Sequence, residues 1–398
     1  MHILQVGSYL APNFAGGAEI SADNIRRLLE QVGHRFTSLA WGPSAAFTPD
    51  VVIDPLCDRD WVARTWRPVE PITALAGLDK ARFYAMELAT RADAAAIGQL
   101  IAAQAIDLVL VHSFRGLGYD LVDKLCQAGV PVIFVLHDFA LVCLNKGMAR
   151  KGALCRTRCL VCRHVARRNR RALAKSARLA LVAPSRAMLN TVGDGLNIGP
   201  ANRHHIPNPN RYTVLPRVRD HRDTLCLGYI GRLEADKGVA GLIGIADRLH
   251  GECGLRLVIA GQGRLSETVS AFAATRPWVD FRGQVPAEAV HHVYDAVDVL
   301  AIPSLWPENF PGVVVHALGS GLPCVGFDIG GIPEVIDHGE TGFVVGFGDF
   351  AALADRIIAL DRDRALLAAL SRAALAASAR YDAALLGQRW IDLIGTMA

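Results

Sequence analysis

The chain is expected to be an α/β protein of two doubly wound, Rossmann-like domains facing a central cleft. Three observations carry this. At 398 residues it is too long for one hydrophobic core and suits two. Short apolar runs alternate with segments of helical period, and the alternation restarts after a proline-containing stretch at 207–224. Several runs end in glycine-bearing loops, as βα units of a parallel sheet do.

The elements follow in order. His2 to Val6 reads as a first buried strand, followed by a loop from Tyr9 to Gly16. A helix is expected over 21–32, because Ile25, Leu28, Leu29 and Val32 recur at helical spacing. Gly33-His34 closes it, and 36–40 is the next strand. Residues 44–80 are irregular and contain prolines. Helical segments follow near 81–90 and 93–104, then a strand at 107–112, a helix at 119–128 and strands at 130–137 and 179–183. Ser185 reads as a helix cap. The three prolines and weak apolar pattern of 207–224 mark a linker. The second half repeats the plan, with strands at 225–230, 255–260, 279–283, 297–302 and 322–327 and a helix at 238–249. An amphipathic last helix spans about 382–396. The domains are therefore 1–206 and 225–380, with 381–398 as a terminal helix.

Composition bounds the class. The chain is 52% hydrophobic and 20% charged, as globular proteins are. No apolar run approaches a membrane span, and the N-terminus lacks the basic lead of a signal peptide. Nine cysteines without a secretory signal point to a reducing, cytoplasmic setting. Charge is uneven: residues 1–210 hold 25 basic and 16 acidic side chains, net +9, whereas 211–398 are net −5. Residues 139–193 hold 13 Lys and Arg and no acid. The plain reading is a solvated basic face. The sharper one is attraction to an anionic membrane surface, peripheral on its inner face, or to a lipid-phosphate acceptor. Nucleic acid is not expected, since no aromatic residues interleave the basic ones.

Chemistry concentrates in 303–346. Glu308 stands beside Asn309-Phe310-Pro311-Gly312, and Val313-Val314-Val315 reads as a buried helix start. A strand leading through such a loop into a helix offers free N–H groups and a positive dipole end, an anion site suited to phosphate. With an acid to bind sugar hydroxyls, it suits a nucleotide sugar. Gly330-Gly331-Ile332-Pro333-Glu334 then turns the chain into another helix. The alternative is an ordinary turn of a Rossmann-like sheet.

Other strand ends carry further candidates. Gly16-Gly17-Ala18-Glu19 follows the first strand, where glycine lets backbone approach a ligand; a tight turn would look the same. His137, before Asp138, closes a strand and can donate to a sugar hydroxyl. Arg232 and Lys237, within Gly231–Gly238, could stabilise charge on a departing diphosphate more in the transition state than before it; a surface ion pair is the alternative. Gly261-Gln262-Gly263 and 282–285 offer backbone groups. Cys143, Cys155, Cys159 and Cys162 fall within twenty residues, enough for a closed tetrahedral structural zinc site; the alternative is four separate small apolar side chains.

The stretch 303–346 resembles the retaining glycosyltransferases of family 4 (glycosyl transferases group 1), whose fold is GT-B. Their signature is Glu-x7-Glu within a frame of the form "PS…E.FG…EA…G.PV…GG.PE…G..G". Glu308 matches the first Glu; His316 stands at the second, a departure. The Gly16–Glu19 string and the GR…KG string of Gly231–Gly238 are similar too, and some members carry a comparable cysteine segment. The resemblance implies a UDP- or GDP-sugar donor, no catalytic metal, and a saccharide or lipid-linked acceptor handled by the first domain, with the last helix crossing back to that domain. It implies that Arg232 and Lys237 bind the diphosphate, Glu308 the sugar hydroxyls, His316 the ribose, and that His137 lies beside the transferred sugar. Envelope polysaccharide or glycolipid synthesis is the setting it suggests. A sugar-nucleotide epimerase of the same fold, or a binding module with weakened catalysis, are the rivals.

Overall fold

The computed structural model describes every residue except 9, 11–16, 41–50, 53–76, 93, 151–152, 156, 209–223 and 398. Gly16, most of the irregular stretch 44–80 and most of the 207–224 linker lie outside the described residues. The chain divides into two compact units, Met1–Pro209 with Ala383–Ala398, and Asn210–Asp382.

The first unit runs β1 (His2–Gly7), α1 (Gly17–Gln31), β2 (Arg35–Ala40), β3 (Val51–Val52), α2 (Gly77–Ala89), α3 (Ala94–Ala103), β4 (Leu108–Val111), α4 (Tyr119–Gln127) and β5 (Val132–Val135). A small hairpin, β6 (Ala149–Arg150) and β7 (Ala153–Leu154), precedes α5 (Leu160–Leu173), β8 (Leu179–Ala183), α6 (Arg186–Leu196) and β9 (Arg203–His205). The main sheet is parallel throughout, in the order β3-β2-β1-β4-β5-β8-β9.

Strand period 2 divides its side chains between two faces. Leu4, Val6, Val109, Val111, Val132 and Phe134 enter one core. Ile3, Leu108, Leu110, Ile133 and Val135 enter the other. This two-sided burial is why the strands read as unbroken apolar runs. The second core is completed by the last helix, Ala383–Met397, whose Trp390, Leu393, Ile394 and Met397 pack with Ile25 and Leu29 of α1. Gly387 leaves that helix no side chain where Leu28 of α1 approaches: an added Cβ would lie 2.6 Å from Leu28 Cδ1.

Two expectations for α1 change. The helix begins at Gly17, so the Gly17-Ala18-Glu19 string is its first turn and not a loop before it. Val32 lies past its end and is 50% exposed, so it is not part of the buried stripe.

The second unit runs β10 (Cys226–Ile230), α7 (Val239–Cys253), β11 (Arg256–Ala260), α8 (Ser266–Ala274), β12 (Val279–Gly283), α9 (Val290–Asp295), β13 (Val299–Ile302), α10 (Gly312–Gly319), β14 (Cys324–Phe327), α11 (Ile332–Val335), β15 (Gly342–Val345), α12 (Phe350–Arg362) and α13 (Arg364–Ala377); the last helix, described above, is then α14. Its sheet is parallel with order β12-β11-β10-β13-β14-β15.

Both orders reverse direction between the first strand and the fourth of the unit. In such sheets ligands sit outside the strands' carboxyl ends at that switch point. In the first unit this lies between β1 and β4, and in the second between β10 and β13.

Candidate active site

The loop after β10 carries Gly231 to Gly238, and the loop after β13 carries Pro303 to Pro311. They meet through backbone: Leu305 N donates to the Asp236 carbonyl at 2.8 Å. Gly238 makes the approach feasible. Its φ is +71°, and an added Cβ would sit 1.8 Å from the Pro303 carbonyl oxygen. Gly261, with φ +143°, is confined in the same way: an added Cβ would sit 1.8 Å from the Gly231 oxygen. Gly263 has no room for a side chain either, since an added Cβ would lie 2.5 Å from the Leu233 oxygen; its N–H donates to Ser266 Oγ at 3.0 Å.

These contacts bring the charged candidates together. Lys237 Nζ lies 2.6 Å from Glu308 Oε1, each side chain 19% exposed. Ser304, buried, donates its hydroxyl to the same oxygen at 2.8 Å. Both contacts fall on Oε1. Glu308 is fixed through its backbone as well: its carbonyl accepts from Gly331 N at 2.6 Å. That ties the Glu308 loop to the glycine pair preceding α11, whose first turn carries Glu334. Arg232 is more open, 63% exposed, with Nη2 3.8 Å from Asp236 Oδ2. Its carbonyl accepts from the Tyr229 hydroxyl at 2.8 Å. Arg232, Lys237 and Glu308 thus share one loop cluster of the second unit.

Asn309 and Phe310 continue that loop, with the Phe310 ring 5.9 Å from Tyr381. Pro311 caps α10 and Gly312 opens it. His316 lies one turn on, half-buried, its ring 6.1 Å from Tyr294. Burial pushes its imidazole down to about 4, so it is neutral at pH 7. An open cavity of about 570 Å³ elsewhere in this unit is lined by Asp328, Asp337, His338 and Glu340.

In the first unit His137 follows β5, and Gly17 opens α1. His137 is pushed down to about 4 by burial, against the pull of Asp138. Its Nε2 lies 3.0 Å from Nδ1 of His112, the residue after β4. His112 and Ser304 take part in these contacts although only general features of their loops marked them in the sequence. A histidine at the end of an apolar strand was the one available signal for His112.

The cysteine segment singled out for zinc also lies in this unit. Among the described residues no group of three or more His, Cys, Asp or Glu side chains is placed to hold a metal ion. Cys143 is buried in the core, with its Sγ 3.8 Å from that of Cys162. Cys162 has the thiols of Cys143 and Cys159 as neighbours, and burial pushes its own thiol up to about 12. Cys159 caps α5 and is exposed, and Cys155 N bonds to the Met148 carbonyl.

Two Rossmann-ordered units, each with its polar side chains gathered at the switch point, define a double-Rossmann α/β protein. The chain belongs to the family 4, group 1 glycosyltransferases: "Glycosyltransferase Family 4" matches residues 15–209 and "Glycosyl transferases group 1" matches 224–363. It is 31% identical over 175 residues to a phosphatidyl-myo-inositol mannosyltransferase of Mycobacterium leprae, covering 43% of this chain and 46% of that one. It is 28% identical to a 2-deoxystreptamine N-acetyl-D-glucosaminyltransferase of Streptomyces fradiae, covering 52% of each. The chain thus spans about half the length of these curated relatives. Among solved structures it is similar to HepE of Anabaena in complex with UDP (TM-score 0.69, 18% identity, all of both chains). Sucrose-phosphate synthase from Thermosynechococcus elongatus gives TM-score 0.73 at 17% identity, covering 100% of this chain and 98% of that one. The fold is that of GT-B glycosyltransferases.

Proposed function

We propose that this glycosyltransferase moves a hexose-type sugar from a UDP- or GDP-sugar to a saccharide or lipid-linked acceptor with retention of configuration. The observation that carries the reading is the contact of Lys237 and Ser304 on one oxygen of Glu308, at the switch point of the second unit. Neighbours of the same fold were solved with UDP and UDP-glucose, which supports a nucleotide-sugar donor.

In this reading Arg232 and Lys237 neutralise charge on the departing diphosphate, and Oε2 of Glu308 accepts from sugar hydroxyls. Stabilisation of charge that grows during bond breaking lowers the barrier, whereas equal binding before and during the step would not. Because these cations supply the positive charge, the proposal assigns no metal to catalysis. The acceptor hydroxyl attacks C1 on the face the diphosphate leaves and gives its proton to the diphosphate oxygen, so no protein nucleophile is required. The resemblance assigns Gly17 and His137 to the donor sugar. Backbone around Gly261, Gly263, Asn309, Phe310, Pro311 and Gly312, with Glu334, completes the donor contacts.

An anionic surface or lipid-phosphate acceptor is supported by α5. Arg163, Arg167, Arg170 and Arg171 are exposed along it, and Leu160 at its start is 80% exposed. Each such cation near an anionic bilayer is worth about 1 kcal/mol. Among the described residues no helix is long and apolar enough to cross a membrane. Envelope polysaccharide or glycolipid synthesis follows as the setting.

Incubation with UDP-glucose, GDP-mannose or ADP-glucose, with and without saccharide acceptors, tests the reading. Acceptor-dependent release of nucleoside diphosphate supports transfer. Conversion of the donor sugar without acceptor supports an epimerase, and binding without turnover supports a binding module. His316 is assigned to the ribose, since a neutral imidazole both donates and accepts. His316→Glu replaces it with a group that only accepts when ionised, and is expected to weaken donor binding about tenfold, roughly one hydrogen bond. Unchanged donor affinity and turnover would remove His316 from the site.

A further inference from the structure

We infer that His112 is a positioning residue that fixes the ring orientation and tautomer of His137, an inference that rests on the proposed role of His137 beside the transferred sugar. The carrying observation is geometric. His112 Nδ1 and His137 Nε2 are 3.0 Å apart. The ring planes differ by 22° and the centroids are 5.2 Å apart. Face-to-face stacking in the same protein, His250 on Trp278, brings centroids to 4.3 Å with planes 5° apart. The two histidines therefore meet edge to edge, nearly in one plane, as a ring N–H pointing at a ring lone pair requires.

The placement of His112 supports the inference. It follows β4, one of the two strands that bound the switch point of the first unit. Its backbone is anchored, with N donating to the Val6 carbonyl of β1 at 2.8 Å. The next residue, Ser113, meets Ser8 hydroxyl to hydroxyl at 2.6 Å. His112 itself is 7% exposed, and a cavity of about 20 Å³ opens against both rings. An imidazole held this tightly offers one direction to its neighbour.

The direction of the proton follows from His112 Nε2. Burial holds both rings below the usual imidazole range, so each is neutral at pH 7 and carries one N–H. If His137 donated from Nε2, His112 would carry its proton at Nε2. That atom is buried without a hydrogen-bond partner. Enclosed N–H groups without acceptors are rarer than enclosed acceptors without donors. His112 therefore donates from Nδ1, His137 accepts at Nε2, and His137 carries its own proton at Nδ1. The partner of one ring nitrogen thus sets what the other nitrogen offers.

The test combines spectroscopy with kinetics on the full chain. Long-range 1H–15N correlation of ring-labelled histidines, assigned by loss of signals in His137→Gln, reads the tautomer directly. The wild type is expected to show His137 protonated at Nδ1. His112→Leu is expected to shift His137 to the other tautomer or a mixture. His112→Asn, whose amide can donate from near the Nδ1 position, is expected to restore it. On the nucleotide sugar that the donor assay selects, His112→Leu is expected to lower kcat about 10–100-fold with little change in donor KM, the range seen when a supporting hydrogen-bond partner is removed. His112→Asn should recover most of that loss. An unchanged His137 tautomer in His112→Leu overturns the inference. If His137→Ala leaves kcat at the wild-type value, the reading of His137 itself falls, and the two failures are told apart. A folded state matching wild type by circular dichroism is required of each variant. If His112→Leu does not fold, His112→Asn alone decides: loss of the Nδ1 tautomer there overturns the inference.

Discussion

Lys237→Ala is expected to lower kcat/KM by about 10²–10³-fold, most of it in kcat. That is the scale on which removing a single charge-stabilising donor from a site acts. Lys237 is 19% exposed and sits 2.6 Å from Glu308 Oε1, so the side chain is already placed before any donor binds. Glu308→Gln keeps the shape and the acceptor for Ser304, but removes the charge that holds Lys237 and the second carboxylate oxygen. It should reduce turnover by a similar factor while leaving the fold intact. Lys237→Arg is not a rescue, because a planar fork cannot replace a compact ammonium at this distance. Nucleoside diphosphate release under saturating donor is the measurement. A loss of less than about threefold in either variant would contradict the assignment.

The second large effect concerns stability. Glu87 of α2 and Arg115, in the loop after β4, form an ion pair with side-chain exposures of 0% and 3% and Nε–Oε2 at 2.7 Å. The contact is close, but the Nε–H direction misses Oε2, so neither atom counts as hydrogen-bonded. Glu87 Oε1 accepts instead from Gly116 N at 2.6 Å, and Arg115 Nη1 donates to the Leu144 carbonyl at 2.8 Å. The guanidinium also lies 5.4 Å from the ring centres of Phe83 and Tyr84. Burial pushes the Glu87 carboxyl up, against the pull of Arg115. Glu87 in turn raises the Arg115 guanidinium despite its burial, and an intact buried pair of this kind adds little net stability. Breaking it is another matter: Glu87→Ala leaves a buried guanidinium uncompensated and is expected to cost about 3–5 kcal/mol. Urea unfolding checks this. The double variant Glu87→Leu, Arg115→Met should recover most of the loss, since apolar replacement of a buried pair is often neutral or better. A single-variant cost below about 1 kcal/mol, or no recovery in the double variant, would contradict it.

The same pair shows where sequence reading stops. β1, β4, β5, β10, β11 and β13 were legible because strands buried on both faces leave unbroken apolar runs. The loop 231–238 and Glu308 were legible because their glycines and charges are local, and Gly238 marks a place where only hydrogen fits beside the Pro303 carbonyl. By contrast, Glu87 and Arg115 lie on different elements, and no periodicity links them. His112 and His137 are joined by sheet order, which brings β4 beside β5. β9 was missed because an Arg-His-His edge strand has no apolar run. β15 was missed because its short Gly-Phe-Val-Val run lies directly against a turn. The cysteine cluster was legible as a cluster, since Cys143, Cys159 and Cys162 are neighbours in the fold. What the sequence did not show is their unequal burial, Cys143 being buried and Cys159 exposed.

The claim on which the rest stands is that loops after β10 and β13 hold the donor's diphosphate. Calorimetric titration of UDP and GDP into the wild type, Lys237→Ala and Arg232→Ala tests it without any acceptor. One nucleotide is expected to bind the wild type and to lose about tenfold or more in affinity in each variant, about 1.4 kcal/mol. Equal affinity in all three proteins would contradict the account.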